Sequence, residues 1–185
     1  MPKSSAIIKI ENVVASATLN QRVDLNAVVK SYPGVEYRPN SSQVSFLGLR
    51  NPRRPRLFST RRKWCAQARN QRKKHLAVMK VVKELKKGGI ILIGKPELKI
   101  QNMVASVSLG GLIDLEKAAY TLKKTMYEPE QFPGLIYRMD EPKVVILLFA
   151  SGKLVCTGAK KEQDVYGAVH KLHGILEEQG LLFYD

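Results

Sequence analysis

Apolar and polar residues alternate from Ile8 to Ser16 and again from Leu98 to Ser106, the period-two pattern of a strand with one buried face. A helical stretch follows each, about Asp24–Ser31 and Asp114–Lys124, and both open on an Asp placed to cap the first turn. Farther on, Gly134–Met139 reads as a strand, Glu141-Pro142 as a turn and Val144–Phe149 as a second strand. Ser151-Gly152 turns the chain into a third strand, Lys153–Thr157, and a closing helix runs from about Lys161 to Glu178, stopping near Gly180. Its earlier counterpart is roughly His75–Lys87, ended by Gly88-Gly89.

The pattern occurs twice because the sequence does. At an offset of 90 positions, Ile10-Glu11-Asn12-Val13-Val14-Ala15-Ser16 aligns with Ile100-Gln101-Asn102-Met103-Val104-Ala105-Ser106, and Leu19, Asp24, Leu25, Tyr37 and Pro39 find identical mates. At an offset of 91, Ala77-Val78 and Lys80 meet Ala168-Val169 and Lys171, and Leu85 and Gly89 meet Leu176 and Gly180. Two copies are too few for a solenoid, so a fused pseudo-twofold pair is expected. Repeat 1 is residues 1–92, with an atypical basic segment at 41–76, and repeat 2 is residues 93–185. Each is a meander of strands with two helices, of the α+β class.

Composition narrows the chemistry. The 44% hydrophobic content supports a core, and no run approaches the ~18 apolar residues of a membrane span. The opening Met1–Lys9 lacks the apolar stretch of a secretion signal. Cys65 and Cys156 form neither a disulfide framework nor a zinc spacing, which makes a reduced, cytoplasmic compartment the default. His170 and His173 stand three apart on a helix with no third ligand at metal spacing. The net charge of +15 points toward a polyanion. Yet eleven Lys and Arg, and no acid, lie between Ser41 and Leu76, leaving +4 for the rest of the chain.

Repeat 2 carries two specific strings. Gln131-Phe132-Pro133-Gly134-Leu135-Ile136-Tyr137-Arg138 and Phe149-Ala150-Ser151-Gly152-Lys153-Leu154-Val155-Cys156-Thr157-Gly158-Ala159-Lys160 resemble the TATA-box-binding protein family in its archaeal form. The strand Ile100–Ser106 and the duplication itself resemble the same family, so the likeness covers most of the chain. The resemblance implies a saddle, a curved antiparallel sheet with helices on its convex side and DNA on its concave side. This family is the standard example of minor-groove binding with apolar wedges and a kinked duplex.

The resemblance also implies roles. Phe132 and Phe149 would enter a base step as a wedge pair, while Asn102, its repeat mate Asn12, and Thr157 would meet adenine N3 or thymine O2 at the centre. Val14, Val104 and Val155 would pack on base and sugar edges, and Arg138, Ser151, Lys153 and Lys160 would contact phosphates. The implied function is a general transcription initiation factor that binds and bends the TATA element and recruits transcription factor B and RNA polymerase. Partner contacts would come from the convex helices and the loop around Glu128-Pro129-Glu130. No cofactor or catalysed reaction is implied, and the resemblance leaves open a homodimer of the free protein.

Taken without the family, these residues have plainer readings. A Phe ending an apolar run is usually core, Asn12 and Asn102 would be strand-end residues, and Lys153 and Lys160 solvated surface charges. Cys156 reads as a small buried apolar residue. The alternative function is a basic RNA-binding or ribosome-associated protein without TATA preference, which the acidic closing helix (Glu162, Asp164, Glu177, Glu178) fits poorly. A nucleic-acid glycosylase would need a catalytic acid or lysine at a base-flipping pocket, for which no motif is present.

From Ser41 to about His75 repeat 1 departs from its sister. This Arg-rich stretch lacks strand alternation, and Pro52 and Pro55 break it further. A basic insertion or arm is one account; the nearly equal length of the copies argues against insertion. A shifted reading frame is the other. Codons for Ser41-Ser42-Gln43-Val44-Ser45-Phe46-Leu47-Gly48, read one nucleotide earlier, can give Gln-Phe-Pro-Gly-Leu-Val-Phe-Arg. Those for Lys63–Arg69 admit Met-Val-Cys-Thr-Gly-Ala. Nucleotide losses near codons 41 and 75 would then produce the one-residue deficit. No site residue is assigned between Ser41 and Leu76.

Overall fold

A computed structural model describes residues 6–19, 21, 24–31, 36–38, 43–46, 57–59, 63–68, 79, 82–83, 85–91 and 93–184, with the backbone alone for the strands between 36 and 68. The chain divides into two compact units, one joining Met1–Glu11 to Asn102–Asp185 and the other formed by Asn12–Gln101. Among the described residues, no helix is long and apolar enough to cross a membrane.

In the Asn102–Asp185 unit the antiparallel strands stand in the order β6 (Glu97–Ser108), β11 (Lys153–Ala159), β10 (Val144–Leu148), β9 (Leu135–Met139), β8 (Thr125–Met126). Helix α3 (Glu162–Glu178) packs on β11 and β10. Strict alternation builds the core between them. Met103, Ala105, Val107, Ile146, Leu148, Leu154 and Cys156 face Val165, Ala168, Val169, Leu172 and Leu176, all buried. The helix starts with Glu162 and Asp164 in its positive first turn, where the Asp164 carboxylate accepts from Lys161 N at 3.2 Å. It ends at Gly180, whose φ of +60° lets Leu181 N reach back to Leu176 O at 2.8 Å.

The earlier helix, α2 (Leu115–Thr121), is capped by Asp114, which accepts from Lys117 N at 3.0 Å. It is shorter than the expected Asp114–Lys124. Thr125 Oγ1 donates to Ala119 O at 3.0 Å and to Leu122 O at 3.3 Å, taking up carbonyls that further turns would need. The chain then passes through Lys124 at φ +61°. Three short elements were not foreseen: β7 (Leu112–Ile113) and β12 (Leu182–Phe183), which pair with each other, and β8.

In the Asn12–Gln101 unit, β1 (Ile7–Thr18) is followed laterally by β5 (Lys63–Ala68), β4 (Leu57–Ser59), β3 (Gln43–Phe46) and β2 (Glu36–Arg38). Helix α1 (Leu25–Ser31) begins after Asp24, whose carboxylate accepts from Asn26 N at 2.9 Å. Val13, Ala15, Ala17 and Leu19 are buried, as are Val82 and Leu85 on the helical stretch before Gly88. The start of that helix, 75–78, lies outside the described residues, as do Pro52 and Pro55.

The expectation of a segment without strands between 41 and 75 is corrected, because β3, β4 and β5 form there and pair antiparallel. Their short alternations, Val44/Phe46 and Trp64/Ala66/Ala68, are masked in the sequence by the arginines around them. The repeat extends to hydrogen bonds. Ser106 Oγ donates to Glu11 at 2.9 Å in one unit, and Ser16 Oγ accepts from Gln101 at 2.6 Å in the other, between positions that correspond in the two copies.

Candidate nucleic-acid interface

Opposite its core face, the sheet of the Asn102–Asp185 unit carries two rows of side chains defined by strand register. One runs Arg138, Val145, Thr157, Val104 across β9, β10, β11 and β6; the other runs Ile136, Leu147, Val155, Ser106. All but the exposed Arg138 are half-buried, and α3 packs on the other side. The face is therefore largely aliphatic with a few polar groups, a surface that gains by meeting an apolar partner. Val104, Val155, Thr157 and Arg138 were expected on it. Ile136, Val145 and Leu147 were missed, because the apolar run Val144–Phe149 does not separate its two faces in the sequence; the alternating burial of Val144, Ile146 and Leu148 does.

Asn102 sits beside Thr157. Its Oδ1 accepts from Gly158 N at 2.7 Å, and its Nδ2 donates to Thr157 Oγ1 at 3.2 Å. Gly158 has a φ of +95° and is bulged out of the β6–β11 ladder between Thr157 and Ala159, so β11 runs two residues beyond the expected Thr157.

Phe132 and Phe149 come together at one edge. Phe132 precedes β9 in a turn in which Gln131 N and Phe132 N both donate to Glu128 O, at 3.0 and 2.9 Å. Phe149 follows β10, where its N–H donates to Lys153 O at 3.0 Å and its carbonyl accepts from Gly152 N at 2.9 Å. Gly152 makes this turn with φ +71°, and a Cβ there would lie 1.8 Å from Gly111 O. The two rings meet edge to face and are half-buried. Ser151, Lys153 and Val155 line a shallow groove beside Phe149.

Arg138, Lys153 and Lys160 are exposed, and among the described residues none of the three is in an ion pair. Asn12 and Val14 lie half-buried on β1 in the other unit. Cys156 is fully buried, and burial pushes its thiol up to about 11, which keeps it protonated and apolar. His173 Nε2 lies 3.0 Å from Tyr184 OH, which donates to Glu177 at 3.1 Å, so this histidine ties the chain end to α3. His170 is exposed.

Comparison with known proteins agrees with this arrangement. The family model described as transcription factor TFIID (or TATA-binding protein, TBP) matches residues 7–88 and 97–179, one match per repeat. The TATA-box-binding protein of Sulfolobus acidocaldarius is 47% identical over 174 residues, which cover 94% of this chain and 88% of that protein. That of Pyrodictium occultum is 47% identical over 178 residues, covering 96% and 88%. Among solved structures, Methanococcus jannaschii TBP superposes with a TM-score of 0.85 at 41% identity, covering 92% of this chain and 98% of that one. The α+β chain with its duplicated unit belongs to the TATA-box-binding protein family of transcription factors.

Proposed function

We propose that the protein is a general transcription initiation factor that binds the TATA element of archaeal promoters in the minor groove, bends it, and recruits transcription factor B and RNA polymerase. One observation carries this reading. A half-buried, largely aliphatic sheet face holds the hydrogen-bonded pair Asn102 and Thr157 and is bordered by two clustered aromatic rings. The minor groove offers few distinguishing hydrogen bonds and much sugar and base edge, the complement of such a surface. Val104 and Val155, with Val14 of repeat 1, pack on those edges. Asn102, Asn12 and Thr157 meet base acceptors. Phe132 and Phe149 wedge open one base step, and Arg138, Ser151, Lys153 and Lys160 hold phosphates that set register. Sequence preference comes mainly from how readily a T/A-rich step unstacks.

Repeats 1–92 and 93–185 supply the two halves of the binding element. The helices and the loop around Glu128-Pro129-Glu130 supply the partner surface, and the protein works on nucleoid DNA in the cytoplasm. The test is bending of a doubly labelled TATA duplex, followed by fluorescence transfer. The parent chain raises transfer, and replacing both Phe132 and Phe149 by Ala abolishes the rise. Unchanged transfer in that variant overturns the wedge assignment.

A further inference from the structure

The strands of repeat 1 keep two distinct faces despite the basic residues around them. Paired residues in an antiparallel sheet share a face and successive residues alternate, so register assigns each position to a side. On the core side, that of the buried Val13, Ala15 and Ala17, stand Tyr37, Val44, Phe46, Leu57, Trp64 and Ala66, with Ser59. The opposite side carries the row Glu36, Ser45, Phe58, Cys65, Ser16, each paired with the next. Beside that row, Gln67 pairs with Val14, Lys63 with Thr18 and Gln43 with Arg38.

This open side differs in chemistry from that of repeat 2. The matching row there runs Ile136, Leu147, Val155, Ser106 and is aliphatic up to its serine. In repeat 1 the aromatic Phe58 takes the place of Leu147, and the small Ser45 and Cys65 stand on either side of it in register. An aromatic position with small neighbours suits a flat ring stacked upon it, and amides with cations suit the edges and phosphates of an unpaired nucleotide. A duplex minor groove presents base edges and no base face, so this residue set matches a single strand better.

We propose that the open sheet face of repeat 1 binds single-stranded nucleic acid, with Phe58 stacking on a base, the amides of Gln43 and Gln67 beside it, and Arg38 and Lys63 at phosphates. The eleven Lys and Arg between Ser41 and Leu76 add the positive field that draws a polyanion to this repeat. The proposal goes beyond duplex recognition and does not rest on it. Val14 belongs to both surfaces, so duplex and strand exclude one another on repeat 1. An unpaired base on a sugar-phosphate chain is the shared chemistry, and DNA and RNA are its two sources.

The test is fluorescence anisotropy of the full chain with labelled strands of about 12 nucleotides: oligothymidine, oligouridine and an abasic strand of equal length. The abasic strand measures attraction to phosphate alone. The parent is expected to bind a base-bearing strand roughly fivefold to hundredfold more tightly than the abasic one. The tighter of oligothymidine and oligouridine identifies the source. Phe58→Ala should remove the preference for bases and leave the abasic affinity and its salt dependence unchanged, a split that general unfolding does not produce. Phe183→Ala, at an exposed phenylalanine of repeat 2, should leave the preference intact.

If Phe58→Ala fails to fold, Phe58→Leu keeps apolar bulk without the ring and should lose the preference likewise. Phe58→Trp should keep it, and its indole emission should be quenched by the bound strand, with the parent's single Trp64 as the baseline. A parent that binds the abasic strand as tightly as the base-bearing strands overturns the proposal, as does a Phe58→Leu variant that keeps the preference. Either result leaves the TATA reading standing, since that reading is tested on duplexes.

Discussion

The rings of Phe132 and Phe149 meet edge to face, with centroids 5.9 Å apart and planes at 67°. Both lean on Gly134. A Cβ added there would lie 2.7 Å from Phe132 Cε1 and 3.1 Å from Phe149 Cε1, with Leu148 O behind it at 3.1 Å. Gly134 is not among the glycines with positive φ, so space and not backbone conformation calls for the missing side chain. Gly134→Ala is therefore expected to tilt the rings and cost on the order of 1–3 kcal/mol of overpacking, expressed largely as lost DNA bending. Fluorescence transfer on a TATA duplex reads the loss. The same substitution made in a Phe132→Ala background should have little further effect, and a full additional effect there contradicts the account.

Gly152 makes a sharper prediction. Its φ of +71° and the 1.8 Å approach of a Cβ to Gly111 O leave no room for Ala without moving the Phe149–Lys153 turn. Gly111 stands in a close-packed place of its own, where an added Cβ would lie 2.5 Å from Phe183 O. Gly152→Ala should lower the midpoint of thermal unfolding by roughly 10 °C, from about 3 kcal/mol of strain and clash. An unchanged midpoint would show that the turn repacks freely.

Cys156 gives a pH dependence. In the unfolded chain a thiol ionises near ~8.5. In the fold, burial moves ionisation up to about 11. Between these values the unfolded state binds fewer protons, so this group's contribution to stability is complete below the lower value and declines as pH rises toward the upper one. Urea midpoints measured at pH 7 and pH 10 should fall more for the parent than for Cys156→Ala. Equal falls would mean that the buried thiol does not titrate as described.

The exposed cations Arg138, Lys153 and Lys160 are expected to act on phosphates and not on bases. Substituting any one of them by Ala should reduce the slope of log affinity against log salt by about 0.9 and weaken TATA and scrambled duplexes alike. A loss confined to the TATA duplex, with the slope unchanged, would place that residue at a base edge.

Repeat 2 was legible because its strands alternate and its turns carry Gly or Pro. The Asp114 cap and the Gly180 stop were readable for the same local reason. The Gly158 bulge was not, since a bulge is a property of register and appears only when β11 is laid on β6. Val145 and Leu147 were hidden inside an unbroken apolar run, where one face looks like the other until α3 covers Val144, Ile146 and Leu148. In repeat 1 the arginine-rich stretch obscured strands of three to six residues that β1 and its neighbours pair into place. The two-residue strands β7, β8 and β12 leave no periodicity to read.

Sequencing the gene across codons 41 to 75 bears on how repeat 1 arose. The Met-Val-Cys-Thr-Gly-Ala string of the neighbouring frame contains the Thr-Gly pair that forms the bulge in repeat 2. An unshifted frame across codons 41 to 75 in several clones would rule out that origin.

The central claim is promoter-type DNA recognition by the chain as it stands, with its altered repeat 1. Gel-shift binding to a TATA duplex and to a scrambled duplex of equal length, across a range of salt, tests it most directly. Affinity for both should fall as salt rises, because phosphate contacts are common to both. The preference for TATA should persist at every salt concentration, because it comes from deformability and base edges. Equal affinity for the two duplexes throughout would contradict the account and leave a salt-dependent binder of nucleic acid.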